Sequence, residues 1–284
     1  MGGYIKSPMN YIGGKYRILP QLMDIFPKMI NTAVDLFAGG LNVALNLPAK
    51  SIVCNDINNY VIELYRSFIG VTSDEVLEYV NNQIGRYSLS KTNEEGYLSF
   101  RNYYNKTKHP WDLFILMSFS FNHQIRFNTA HEYNNPFGRN RSSFNASMRT
   151  NLIRLIDTIN RKNMKFHSCD FTELDLSFLG KKDFLYADPP YLITTGSYND
   201  GKRGFKGWGK MDEAALLELL DKIDSQGAKF ALSNVLEHKG NVNGILLDWS
   251  KKYKVYPINC NYNNSNYQTT ASKSITREVL IANY

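Results

Sequence analysis

Cysteine is scarce. The chain of 284 residues holds three, Cys54, Cys169 and Cys260, at no paired spacing. That excludes a disulfide framework and a cysteine zinc site, and it points to a reducing compartment. Long hydrophobic runs are lacking too. No stretch approaches the roughly 20 apolar residues of a membrane span, and Met1 to Lys15 has no apolar core of signal-peptide length. These absences predict a cytoplasmic protein with no membrane partner. Two phosphate-binding signatures are missing. Gly13-Gly14-Lys15 precedes a helical pattern but has neither the Ser/Thr nor the spacing of a P-loop, and Gly39-Gly40 does not form G-x-G-x-x-G. Internal repeats and low-complexity tracts are absent. No metal site is indicated.

Apolar residues make up 43% of the chain and aromatics 13%, enough for one large domain or one domain with an inserted lobe. The net charge is +7, with 19 tyrosines and 16 phenylalanines. A basic, aromatic-rich chain suits a polyanion, nucleic acid first, although a mildly basic soluble protein has the same balance.

Phe184 to Ala187 reads as a buried strand, stopped by Asp188-Pro189-Pro190-Tyr191 because proline cannot donate to a sheet ladder. An acid and a tyrosine are thus held in a stiff turn at a strand's carboxyl end, where open α/β sheets bind ligands. Taken alone, the turn is equally an ordinary proline turn with a solvated aspartate. Ala33 to Phe37 and Ser51 to Cys54 read as two further strands. The first is followed by a tight turn at Gly39-Gly40 and the second by Asn55-Asp56. This order fits a nucleoside without phosphates: glycines for close approach and an acid for ribose hydroxyls. Asp56 as a cap for the next helix is the structural alternative. Phe166 to Cys169 reads as a strand ending at Asp170-Phe171, a strand-end turn or an adenine-edge acceptor with its apolar neighbour. Asp212 is placed as a cap of the helix carrying Leu216, Leu219, Leu220 and Ile223. Thr195 to Lys210, with Lys202, Arg203 and Lys206, reads as a long basic loop. Two closing strands, Tyr253 to Tyr262 and Arg277 to Tyr284, flank a polar loop over Asn263 to Ser274 and form an antiparallel pair.

Between residues 71 and 150 the pattern turns helical, then interleaves arginines, amides and aromatics around a hairpin near residues 122–141. Asn122, Gln124, Arg126, Asn135, Pro136, Arg139 and Arg141 are its candidate DNA contacts, since Arg reads guanine, Asn and Gln read adenine, and cations hold phosphates. A helical lid with a solvated basic rim is the alternative.

The ordered set Asn10-Tyr11-Ile12-Gly13-Gly14-Lys15, Asp35-Leu36-Phe37-Ala38-Gly39-Gly40, Asn55-Asp56, Asn135-Pro136-Phe137-Gly138 and Asp188-Pro189-Pro190-Tyr191 resembles the Dam-type (D12 class) DNA adenine-N6 methyltransferases over nearly the whole chain. The resemblance implies a Rossmann-like class I methyltransferase fold of the α/β class. That fold has a mostly parallel seven-stranded sheet, an antiparallel C-terminal hairpin and an inserted, mainly helical DNA-recognition lobe. Residues 1–70 and 151–284 would form the catalytic domain and 71–150 the lobe. S-adenosyl-L-methionine would be the cofactor, bound by Tyr11, Lys15, Asp35, Phe37, Gly39, Gly40, Asp56, Asp170, Phe171 and Asp188. Asp188 and the Pro189 carbonyl would accept the two N–H groups of a flipped adenine, with Pro190 stiffening the turn and Tyr191 stacking on the base. No Pro-Cys pair of the kind cytosine-C5 methylation needs is present. Double-stranded DNA would be the partner, with a cognate restriction endonuclease allowed and the chain a monomer or weak dimer. GATC is the leading target. Against bacterial Dam, Asn10 replaces a lysine, Tyr11 a tryptophan, and Gln124 an apolar residue. Cytosine-N4 or RNA methylation by the same turn, and a non-catalytic DNA-binding subunit, are the competing readings.

Overall fold

The computed structural model describes residues 3–11, 13–194, 205–259 and 276–284. The expectations placed on Lys202, Arg203, Cys260 and the Asn263 to Ser274 loop lie outside the described residues.

One sheet organises the chain. Its strands are β1 (Ile30–Asp35), β2 (Ala49–Asn55), β3 (Asn163–His167), β4 (Phe184–Ala187), β5 (Lys229–His238), β6 (Asn241–Val242), β7 (Lys254–Pro257) and β8 (Thr276–Ala282). They lie in the order β3-β2-β1-β4-β5-β8-β7, with the two-residue β6 paired to β5. The first five are parallel, whereas β8 is antiparallel to both β5 and β7. This is the mostly parallel α/β sheet with an antiparallel close that the sequence predicts; β6 is an addition. β3 begins three residues before the expected Phe166, because its pairing with β2 runs from Ser51↔Asn163 to Asn55↔His167.

The strands alternate between two apolar layers, as a sheet covered on both faces requires. Ala33, Ile52, Phe184, Tyr186 and Leu280 face one core, while Val34, Val53, Leu185, Phe230 and Ile281 face the other. Helices cover both: α1 (Leu19–Ile25), α2 (Asn59–Arg66), α3 (Ser73–Arg86), α4 (Glu94–Thr107), α5 (Pro110–Phe119), α6 (Ala146–Arg161), α7 (Lys210–Ser225) and α8 (Gly244–Ser250). Helices α7 and α8 supply Leu216, Leu220, Ile223, Leu246 and Trp249 to the second core. The first core runs on without a break into the inserted helices, taking in Tyr97, Phe100, Phe114 and Phe127. Among the described residues no helix is long and apolar enough to cross a membrane.

Three local features differ from the sequence reading. Helix α6 has no counterpart in the sequence reading, although Met148, Leu152, Leu155, Ile156 and Ile159 repeat at helical spacing and Asn145 caps it by accepting from the Met148 N–H at 3.0 Å. The expected boundary at residue 150 therefore falls inside a helix. The excursion expected as a hairpin pairs through two isolated bridges, Ser120↔Phe137 and Phe127↔Tyr133. Asp212 does not occupy the N-cap of α7. Gly209 does, and the Asp212 carboxylate reaches back from the third helical position to accept the Gly209 N–H at 2.9 Å.

Candidate active site

The parallel strands β1, β2 and β4 end at one edge, delivering Asp35, Asp56 and Asp188 to the same region. The β4 turn is the tightest part of it. Lys15 Nζ lies 2.8 Å from Asp188 Oδ2, and the Asp188 side chain keeps only 18% of its exposure. The same ammonium donates to the Gly13 carbonyl at 2.9 Å and stands 5.1 Å from the centre of the Tyr191 ring. The Tyr191 hydroxyl is 3.1 Å from Asp188 Oδ1 and 3.1 Å from Glu278 Oε1. Burial pushes the Asp188 carboxyl above the usual carboxylate range. Lys15 opposes that push and Glu278 adds to it.

Beside the turn lies a cleft lined by Phe37, Asp56, Asp170, Phe171, Asp188 and Trp208. Asp56 is buried, and it accepts the Gly39 N–H at 2.8 Å and the Asn58 N–H at 2.9 Å. The cap of α2 is Asn58, which accepts from the Val61 N–H. Asp56 is therefore left to face the cleft. The rings of Phe37, Phe171 and Trp208 stand 5.5 Å apart in each pairing and form an apolar wall. Trp208 is fixed by its Nε1–H, which donates at 2.9 Å to Glu213, a buried carboxylate that also accepts from Asn234 and Asn243. Asp170 accepts from the Thr172 N–H and hydroxyl and pairs with Lys206 at 3.0 Å. Lys206 also holds Asp212 at 2.7 Å.

A recess off this cleft is bounded by Lys15, Asp35, Gly39, Gly40 and Asp188. Asp35 is buried and its Oδ1 has no hydrogen-bond partner. Burial, reinforced by the nearby Asp188 charge, pushes its carboxyl up to about 8. The glycine turn has a local cause. Gly39 has a φ of +44°, and a Cβ there would stand 3.0 Å from the Tyr11 ring; at Gly40 it would stand 3.0 Å from the Tyr11 Cβ. The tyrosine packs onto bare backbone, which only glycine provides.

The candidate DNA contacts are spread along the excursion between α5 and α6. Asn10 Nδ2 donates to the Asn122 carbonyl at 2.6 Å and so ties the N-terminal segment to the excursion. Asn122 has a φ of 53°, as does His123, and the Gln124 carbonyl accepts from Ser120, Tyr133 and Asn135. Asn135 is buried and donates to the Phe121 and Gln124 carbonyls at 3.0 and 2.9 Å, so its amide hydrogens are spent as an internal clamp. Arg126, Pro136, Arg139 and Arg141 are exposed. Arg139 pairs with Glu94, and the Arg141 guanidinium lies 5.6 Å from the Phe121 ring centre. A groove lined by Asn10, Tyr11, Lys15, Gln124, Asn145 and Glu278 joins this excursion to the side of the Asp188 turn.

The family model for D12 class N6 adenine-specific DNA methyltransferases matches residues 11–266. The chain belongs to this family. Its similarity to the type II methyltransferase M.FokI of Planomicrobium okeanokoites is 50% identity over 281 residues, 99% of this chain and 43% of that protein. To the modification methylase StsI of Streptococcus sanguinis it is 48% identical, again over 99% of this chain and 43% of the relative. To the modification methylase LlaI of Lactococcus lactis subsp. lactis it is 36% identical, over 98% of this chain and 43% of the relative. The chain thus spans less than half the length of these relatives.

The D12 family's methyl donor is S-adenosylmethionine, and the residues present fit it. The donor is a cation at both its sulfonium and its ammonium. The cleft and its recess bring together Asp35, Asp56 and Asp188, with Lys15 paired to Asp188, and Asp35 keeps a buried oxygen without a partner. The aromatic wall suits a flat purine. Two residues of this site escaped the sequence reading. Trp208 lies in what reads as a loop. Glu278 lies at the start of β8, and the visible signal was an acid directly before the apolar run Val279-Leu280-Ile281-Ala282.

Proposed function

We propose that the chain is a site-specific DNA adenine-N6 methyltransferase acting on a flipped-out adenine in a short duplex site. The observation that carries this is the Asp188 turn, which is stiff, mostly buried and held by Lys15 beside a cleft that fits the donor. S-adenosylmethionine supplies an electrophilic methyl group on a sulfonium centre. Asp56 accepts from ribose hydroxyls, Asp170 from the purine edge, and Asp35 with Lys15 holds the charged end of the amino acid. An adenine amine is a poor nucleophile because its lone pair is delocalised into the ring. Asp188 and the Pro189 carbonyl accept its two N–H groups, which localises the lone pair and stabilises the positive charge that develops on nitrogen. The Tyr191 ring offers a face for the extruded base.

In this reading residues 71–150 carry target recognition, with Arg126 reading a guanine and Arg139 and Arg141 on the backbone. GATC is the first sequence to test. It rests on the likeness to Dam-type enzymes, and the DNA adenine methylases of Haemophilus influenzae and Salmonella typhi align at 24% identity. M.FokI and StsI align at 50% and 48%, so the target is open to a different short site and to a cognate endonuclease sharing it. The reading places the chain in the cytoplasm as a monomer or weak dimer.

The experiment is expression of this chain alone in a host without adenine methylation, followed by genome sequencing with modification detection. The expected result is N6-methyladenine at one recurring motif, and none with Asp188→Ala. A soluble, folded chain that leaves every adenine unmodified overturns the proposal.

A further inference from the structure

Glu278 has no part in the reaction as described, yet it reaches the reacting centre. Strand β8 is antiparallel to β5, so its beginning rather than its end lies at the carboxyl edge of the parallel strands. Glu278 is paired there with Val235 and is 4% exposed. Its Oε1 is 3.1 Å from the Tyr191 hydroxyl, the same distance as from that hydroxyl to Asp188 Oδ1. A phenol has one hydrogen, and here it faces two carboxylates.

The arrangement matters because Asp188 has two oxygens and both are approached by donors. Lys15 is on Oδ2 and Tyr191 on Oδ1. An adenine N–H has to bond one of them, and although each oxygen keeps a second lone pair, one already accepting a hydrogen is the weaker and more crowded acceptor. Giving up Lys15 would strand a mostly buried carboxylate without its cation. Giving up Tyr191 leaves a half-buried hydroxyl wanting an acceptor, unless one already stands at hydrogen-bond distance. We propose that Glu278 is a positioning residue of the catalytic turn: it takes the Tyr191 hydroxyl hydrogen and so leaves Asp188 Oδ1 open to the target amine. The exchange moves one hydrogen bond between two carboxylates at equal distance, and the Tyr191 ring keeps its place as the face for the base. The inference rests on the methyl-transfer reading above and adds a residue to it.

The test compares wild type, Glu278→Gln, Tyr191→Phe and the double variant Tyr191→Phe/Glu278→Gln. Single-turnover methyl transfer is measured on a duplex carrying the mapped site, with labelled S-adenosylmethionine. Glutamine keeps the volume, so the fold is preserved and thermal unfolding verifies it, but its neutral amide oxygen is a weaker acceptor than a carboxylate and competes poorly with Asp188 for the Tyr191 hydrogen. The expected result is a loss of about tenfold in the transfer rate for Glu278→Gln, with donor affinity held within about twofold. In the Tyr191→Phe background, where no hydroxyl competes for Asp188, Glu278→Gln has no further effect on the transfer rate at a pH above the acidic limb. The acidic limb of kcat/KM in Glu278→Gln also moves to lower pH, because Glu278 is one of the groups raising the Asp188 carboxyl among Lys15, Tyr191, Tyr186 and Asp35 around it. A purely structural Glu278 would cost the same with and without the hydroxyl, and that result, or wild-type rates in Glu278→Gln, overturns the proposal. A wild-type chain that puts no methyl on adenine overturns the underlying reading together with the inference.

Discussion

Lys15 and Asp188 form an ion pair at 2.8 Å across 173 positions of sequence (188 − 15), and the pair sits in the wall shared by the cleft beside the β4 turn and its recess. Lys15 reaches it from a turn of 3-10 helix, Lys15–Arg17, that follows Gly13-Gly14, with its side chain 8% exposed. One cation thereby offsets several carboxylates, and the Asp188 carboxyl stays raised mainly through burial.

The first prediction follows from that pairing. Lys15→Met keeps the stem and removes the charge. The Asp188 carboxyl then loses the cation that stands 2.8 Å from it and binds its proton more tightly. The acidic limb of kcat/KM should move to higher pH, because the opposite charge that favours the ionised carboxyl is gone. This shift is opposite in sign to that expected for Glu278→Gln. A pH profile of methyl transfer on the two variants checks both. An unmoved limb in Lys15→Met would mean that the ion pair does not govern the protonation state on which activity depends.

Asp35 gives a stability prediction. Its carboxyl is raised from 3.8 to about 8 by burial and by Asp188. Between those values the folded chain holds a proton that the unfolded chain has released. The contribution is therefore present at low pH, falls as pH rises through this window and is exhausted above about 8. The size is on the order of a few kcal/mol at about 1.4 kcal/mol per unit. Asp35→Asn, which cannot ionise, should flatten the curve. Urea unfolding of both proteins at pH 5, 7 and 9, without ligand, reads the difference. Parallel pH dependences would show that Asp35 ionises freely in the folded chain.

The strand ends were legible in the sequence because each carries its own punctuation: Asp188 before two prolines, Asp35 before a glycine turn, Asp56 after a buried strand. The pairing partners were not. Lys15 meets Asp188, and Tyr191 meets Glu278, only after the sheet has ordered its strands, and no local pattern encodes a contact across 87 positions (278 − 191). Sequence logic also looks to the ends of parallel strands, so it passes over the start of an antiparallel one, which is where Glu278 stands. Asn135 shows what residue type alone leaves out. Its residue type suits base reading, yet its amide is turned inward by the two bridges that close the excursion. Helix α6 had its periodicity in plain view but straddled a boundary drawn from composition.

The aromatic wall supports a spectroscopic prediction. Trp208 lies against Phe37 and Phe171 at the cleft, while Trp249 packs in the second core and Trp111 lies at the start of α5. Binding of S-adenosylhomocysteine should change tryptophan fluorescence, and Trp208→Phe should abolish most of the change with only a small loss of affinity. Trp208→Ala should weaken binding by about 1–3 kcal/mol if the purine rests on this ring, the range for one base stacked on an aromatic. A full signal in Trp208→Phe would place the responding tryptophan elsewhere and remove the case for a purine at this wall.

The exposed arginines separate base reading from phosphate binding. Arg126 stands where the excursion turns, and its backbone carbonyl accepts the Asn134 N–H, so its Cα is fixed while its side chain is exposed. Arg141 lies against Phe121, outside the Ser120 to Phe137 pairing. A guanidinium that reads guanine discriminates between sequences by roughly 1–3 kcal/mol, whereas one that holds a phosphate weakens all sequences alike and contributes about one unit to the salt slope. Arg126→Ala should therefore lower the preference for the mapped site over a single-guanine substitution by about tenfold or more, with a nearly unchanged salt slope. Arg141→Ala should lower affinity for both duplexes equally and flatten the slope. Binding titrations of both duplexes at several salt concentrations measure the two quantities together. If Arg126→Ala behaves as predicted for Arg141→Ala, the excursion is an electrostatic clamp, and the base-reading side chains must be sought along the groove that joins Asn10 and Gln124 to Lys15.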